Sequence, residues 1–151
     1  METQAVDKLM KKLIRVFVLL LLPALILFVL AFVSHQSGMR VTVPGDLRIW
    51  GIVLLVLTVF LSVALPILMR TSFHDRAAKN QHVEYRQYER FQVRQMAVTL
   101  AGAVFAGLAY LLVVPNFHLY ASVLMALYGI YSVLPSRRKL AGEMKYYKIA
   151  G

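Results

Sequence analysis

Apolar residues run together along this chain in blocks far longer than one face of an amphipathic helix. No charged residue lies between Arg15 and Arg40, a gap of 24 positions. None lies between Arg48 and Arg70, 21 positions, or between Arg94 and Arg137, 42 positions. A hydrocarbon core about 30 Å thick takes roughly 20 helical residues. The first two gaps therefore hold one crossing each. The third holds two, with Pro115-Asn116 near its middle as a tight turn. The spans are predicted at 14–34, 49–69, 96–114 and 117–134. They are continuously apolar and lack strand alternation, and in lipid only helices or closed barrels satisfy every backbone group. The expected fold class is all-α, an integral membrane four-helix bundle forming a single transmembrane domain over 1–151.

Basic residues orient the spans. Lys8, Lys11, Lys12 and Arg15 precede the first. Arg70, Arg76, Lys79, Arg86, Arg90 and Arg94 lie between the second and third. Arg137, Arg138, Lys139, Lys145 and Lys148 follow the fourth. These segments hold 15 of the 17 basic residues, and four crossings place all three on one side. The other side receives only Arg40 and Arg48. The positive-inside rule then makes both termini cytoplasmic, in a multi-pass protein of the cell membrane. Read alternatively as a secretory signal, the first apolar run exceeds the usual core of roughly 7–15 residues, so it is expected to be retained as a span. Trp50, Tyr110 and Tyr120 fall near the outer boundary, and Tyr131, Tyr146 and Tyr147 near or beyond the inner one, as belt aromatics do.

Composition agrees. The chain is 60% hydrophobic and 16% charged, where soluble domains average roughly 45–50% and about 25%. Mean hydropathy is +0.66. The net charge of +10 belongs to segments flanking apolar runs. It suits anionic lipid headgroups, and no nucleic-acid partner is expected. The absence of cysteine excludes disulfides, thiolate metal sites and cysteine nucleophiles.

Between the spans, Ser37-Gly38 and Pro44-Gly45-Asp46 are turn signals, with 39–43 a possible extended piece. Pro23 and Pro66 lie inside spans one and two, where proline kinks a helix. Span three is rich in small residues. Thr99, Ala103 and Gly107 fall at i, i+4 and i+8, and Gly102 with Ala106 adds a neighbouring pair. Small residues let membrane helices approach closely, so these five are the expected helix-packing face, toward this chain or another. In the polar segment 70–95, Ser72 or Asp75 is a candidate cap, and no proline or glycine occurs from 76 to 95. The third helix is therefore expected to begin in the cytoplasm and enter the membrane unbroken. Tyr85, Tyr88 and Phe91 repeat every three positions, and Arg86, Arg90 and Arg94 repeat every four on roughly the opposite side. Such a helix suits a partner or lipid headgroups, or stands as a solvated charged helix.

The search for chemistry returns little. All seven acids lie outside the spans, which disfavours a proton or ion relay. Inside them the polar groups are hydroxyls such as Thr58, Ser62, Thr99, Ser122, Tyr128 and Ser132. His74 and His82, with Asp75 or Glu84, match no familiar metal-ligand spacing. No phosphate loop or G-x-S-x-G setting occurs. No catalytic residue, metal or cofactor is expected.

Two resemblances bear on function. Arg76-Ala77-Ala78-Lys79-Asn80-Gln81-His82-Val83-Glu84-Tyr85 resembles the membrane-associated family of eicosanoid and glutathione metabolism, four-span proteins with an Arg, Asn and acid cluster at the second helix. That likeness implies an arginine holding a glutathione carboxylate or stabilising a thiolate. Here the Asn-to-acid spacing is one residue longer, and the segment precedes span three. Residues 88–94, the last two spans and Leu134-Pro135-Ser136-Arg137-Arg138-Lys139-Leu140-Ala141-Gly142-Glu143-Met144 resemble small uncharacterised four-span inner-membrane proteins of Bacteroidetes-type bacteria. The likeness covers about 60 residues and implies a bacterial inner membrane, with no activity attached. The leading expectation is a non-enzymatic accessory or structural subunit, forming a homo-oligomer or part of a larger membrane complex. An oligomeric lipid or solute transporter is the alternative, and a four-span enzyme of the glutathione type a further one.

Overall fold

The computed structural model describes residues 2–39, 41–80 and 83–149. Among these the regular structure is entirely helical: α1 (Glu2–Gln36), α2 (Leu47–Val59), a π-helical turn (Phe60–Ala64), α3 (Leu65–Asn80), α4 (Tyr85–Leu111), α5 (Asn116–Val133) and α6 (Arg137–Tyr146). Three stretches are long and apolar enough to cross a membrane: Val6–Gln36, Leu47–Lys79 and Tyr85–Leu111. Helices α5 and α6 meet that test only as a pair, bent by 61° at the break between them, which allows up to four crossings. Such an architecture is compatible with a multi-pass membrane protein.

Local chemistry sets most of the ends. At the close of α1, Gly38 takes φ +70, a left-handed conformation that costs a residue without Cβ little. Gly45 takes φ +97 in the next turn. Asp46 then caps α2, its Oδ1 accepting from the Arg48 backbone N–H at 2.8 Å, and Trp50 donates its indole N–H to the Pro44 carbonyl at 3.0 Å. Between them, residues 39 and 41–43 carry no regular element, and Arg40 lies outside the described residues.

Two further ends use the same left-handed device without glycine. After α4, Val113 (φ 52) donates to Tyr110 O at 3.2 Å and Val114 donates back to Ala109 O at 3.3 Å. After α6, Lys148 (φ 50) donates to Lys145 O at 3.2 Å and Ile149 to Met144 O at 3.0 Å. Both are Schellman caps, and in each the residue after the left-handed position, Val114 or Ile149, is buried.

The polar segment 70–95 departs from expectation. The sequence pattern predicts a third helix running unbroken through it into the membrane, but the segment is shared between two helices. The second span continues through α3 to Asn80, about 15 Å past Arg70. The chain then breaks before Tyr85, with Glu84 extended. The break lets Val83 bury and folds α4 back on α3, so that Phe73 stacks on Phe91 at 4.1 Å. An unbroken helix would leave these apolar side chains apart. The C-terminal basic segment is likewise no loose tail. Ser136 starts α6, which buries Leu140 and Met144 against α1 and α4. Pro23 lies within a continuous α1. Pro66 has no N–H for the carbonyl of residue 62, and its ring crowds that carbonyl in an α-helix. The ladder is reset just upstream, where Leu65 donates to Phe60 O across the π turn.

Helix α4 is the hub, packing on α1, α2, the π turn, α3 and α5. From Thr99 to Ala109 its buried face is made of small residues apart from Leu100, and along the same bundle large apolar side chains point outward from the other helices. Leu19 is 68% exposed, Val29 61%, Ile49 63% and Leu124 63%. This distribution, small inside and large outside, suits packing in lipid, where van der Waals fit replaces the hydrophobic drive. Fit is closest at Ser62. A Cβ on Gly102 would lie 2.1 Å from Ser62 Oγ, and one on Gly129 would lie 2.8 Å from Ser62 Cβ and 2.9 Å from Thr99 Cγ2.

Candidate functional site

The polar side chains that meet one another most densely do so at the basic end of the bundle, where α3, α4 and α6 converge. Tyr88 and Gln92 stand one turn apart on α4. Glu143, on the inward face of α6, receives both: the Tyr88 hydroxyl donates to Oε2 at 2.6 Å and the Gln92 amide at 2.8 Å. Gln92 also donates to the Tyr88 oxygen at 2.9 Å. Arg70, from α3, donates to Glu143 Oε1 at 2.9 Å. One carboxylate thus ties three helices together.

Burial first, and then the bond to the Glu143 carboxylate, push the Tyr88 phenol well above its ordinary range. Tyr147 is raised by burial and by the same carboxylate. Lys139 is held below its ordinary value by burial, with Glu143 partly offsetting this and Arg70 adding to it. Its ammonium donates to the Ser132 carbonyl at 2.9 Å. Around this centre sits an aromatic layer. Phe73 packs edge-on to Tyr147 at 5.4 Å, and His74 stacks on Tyr146 at 5.5 Å. On the outer flank, Lys12 of α1 pairs with Glu89, and Arg137 pairs with Asp7 at 2.8 Å.

Beside the network, between α3 and α4, opens a cleft of about 630 Å³ lined by Leu65, Leu68, Met69, Ser72, Phe73, Arg76, Ala77, Val83, Gln87, Arg90, Phe91 and Arg94. No carboxylate is among these residues. The ion pairs among the described residues use Lys12, Arg70 and Arg137 instead.

The residues singled out in the sequence fall into three groups. Thr99, Gly102, Ala103, Ala106 and Gly107 are all buried against this chain's own helices, Gly107 facing Leu27 and Ala24 of α1. Tyr88, Tyr85 and Phe91 turn inward: Tyr88 is 0% exposed, Tyr85 packs on the same core and Phe91 stacks on Phe73. Tyr88 therefore has no surface left for a partner or a headgroup. Arg90 and Arg94 line the cleft, and Arg86 is exposed outside it. Of the Arg76, Asn80 and Glu84 set, Arg76 lines the cleft and Glu84 caps α4 by position. The Asn80 side chain and His82 lie outside the described residues. The buried hydroxyls mostly bond backbone: Thr58 to Leu54 O at 2.8 Å, Ser62 to Thr99 O at 3.4 Å, and Thr99 to Gln95 O at 2.8 Å.

Sequence reasoning passed over Arg70, Gln92 and Glu143 as a set. Two signals were present. Tyr88 and Gln92 share a helix face, and Glu143 is the sole acid after Glu89, set within a basic segment. Comparison with family models, with curated proteins and with solved structures finds no match for this chain.

Proposed function

We propose that the chain is a non-enzymatic, multi-pass protein of a bacterial inner membrane, with both termini cytoplasmic, acting as an accessory or structural subunit. The observation that carries this reading is the Glu143 network. Three donors from this chain fill three of the roughly four lone-pair sites of the carboxylate. A catalytic or relay carboxylate needs an open lone pair facing a substrate or a water path. Glu143 instead fastens α6 and α3 to α4 and builds a folded platform at the basic end. Its side chain is only 16% exposed. The outward apolar rows of α1, α2 and α5 provide lipid-facing or partner-facing surface.

Two experiments test this. A reporter fused after Ile149 is expected in the cytoplasm, and one inserted at Gly38 on the opposite side; the reverse pattern overturns the orientation. Extraction in mild detergent at native expression is expected to yield a defined homo-oligomer or a larger complex. A lone monomer overturns the subunit reading.

A further inference from the structure

We propose that the cleft between α3 and α4 is a binding site for one anionic phospholipid, with its phosphate held by Arg76, Arg90 and Arg94. The inference rests on the basic end lying at headgroup level, and it does not depend on whether the protein is a subunit of a complex. Three guanidinium groups line one cleft with no carboxylate among them. Like charges gathered in this way repel. They are not held together by acids of this chain, whose ion pairs among the described residues use other cations. Guanidinium is the side chain best matched to phosphate, through paired N–H donors. Ser72 adds a hydroxyl to the same wall.

The position selects a lipid over a soluble anion. Arg94 is the last charge before the long apolar run of α4, and Leu65, Leu68 and Met69 come just before the first charge of α3 at Arg70. The cleft thus lies at the boundary, lined by three arginines together with apolar side chains of both helices. Leu68 is 56% exposed although it lines the cleft. A ligand that joins a phosphate to hydrocarbon matches both kinds of lining at once. The volume falls within the range of roughly 300–1,000 Å³ usual for ligand sites.

The test uses the full chain purified in detergent, with lipid retention read by native mass spectrometry after incubation with phosphatidylglycerol or phosphatidylcholine. Phosphatidylglycerol is expected to be retained preferentially, at one molecule per chain. Each arginine near anionic lipid accounts for roughly fivefold in affinity. Arg76→Gln, Arg90→Gln and Arg94→Gln together are therefore expected to lower retention about a hundredfold. Arg138→Gln with Lys145→Gln, exposed on α6 and outside the cleft, is expected to leave it unchanged. A photoactivatable phosphatidylglycerol on the unmodified protein is expected to label peptides of α3 and α4 that line the cleft, whether or not the triple variant folds. Equal retention of the two lipids, labelling confined to other helices, or an unaffected folded triple variant overturns the proposal. So does displacement by inorganic phosphate or by poly-glutamate at concentrations matching the lipid, since these would indicate a soluble anion or an acidic protein. A monomeric, complex-free protein that still retains phosphatidylglycerol would remove the subunit reading and leave this one standing.

Discussion

Changing Glu143 to Gln keeps the side-chain volume and removes the charge that three donors share. Tyr88 and Gln92 reach Oε2 at 2.6 and 2.8 Å, and Arg70 reaches Oε1 at 2.9 Å. A glutamine has one acceptor oxygen in place of two. With that oxygen in the Oε2 position, its NH2 group faces Arg70, donor against donor. The lost Arg70 contact matters little, because that side chain is 56% exposed and such pairs contribute about 0–1 kcal/mol. The larger effect lies with Tyr88 and Gln92. Bonds to a charged group contribute about 1.5–3 kcal/mol each and neutral ones about 0.5–1.5. Turning two charged bonds into neutral ones therefore costs about 2–3 kcal/mol. Reversible unfolding in mixed micelles, followed by far-UV circular dichroism, measures it. Tyr88→Phe and the double variant complete a cycle, in which the two positions are expected to couple by about 1–1.5 kcal/mol, the difference between one charged and one neutral bond. Additivity within about 0.5 kcal/mol would show that these side chains do not meet, and the account of the basic end would fail.

Three other outcomes follow from the geometry. Gly129→Ala forces a methyl to within 2.8 Å of Ser62 Cβ and 2.9 Å of Thr99 Cγ2. Net of a helix-propensity gain, it is expected to destabilise by about 1–2 kcal/mol. Gly142→Ala, with nothing within 4 Å, is expected to gain about 0.5–1 kcal/mol, so equal stabilities in the same micelle titration would contradict the close packing. Val113→Gly relieves a β-branched residue held at φ 52 while losing only half-exposed surface, and is expected to stabilise by about 1 kcal/mol; a loss of stability would count against the left-handed cap. Because the Tyr88 phenol is raised in the fold, the unfolded chain releases that proton first as pH climbs. Stability is thus fully present below about pH 10 and falls above it by up to about 1.4 kcal/mol per pH unit for each such group. Tyr147 and Tyr85 act in the same direction, and Lys139 in the opposite one just below its ordinary value. Tyr88→Phe should flatten the alkaline limb, and an unchanged slope would mean that Tyr88 is not the group responsible.

Charge-free runs were legible because hydrocarbon rejects ions outright, and the long apolar helices fall where the gaps in Arg and Lys fall. Turns that use glycine or a capping Asp were legible too, as at Gly38 and Asp46, because the residue type itself carries the conformation. The caps at Val113 and Lys148 were not, since nothing in a valine or a lysine announces φ above zero. They are imposed from outside, by the burial of Val114 and Ile149 one residue on. The break ahead of Tyr85 escaped notice for the same reason. It lacks proline and glycine, and what favours it is a contact between Phe73 and Phe91, 18 positions apart. Periodicity placed Tyr85, Tyr88 and Phe91 on one face but could not say what that face would meet. The answer depends on α6, whose Glu143 lies 55 residues beyond Tyr88. Once that carboxylate takes Tyr88 inward, the arginines on the other side are left around an apolar cleft, and the stripe read along one helix becomes a site made by two.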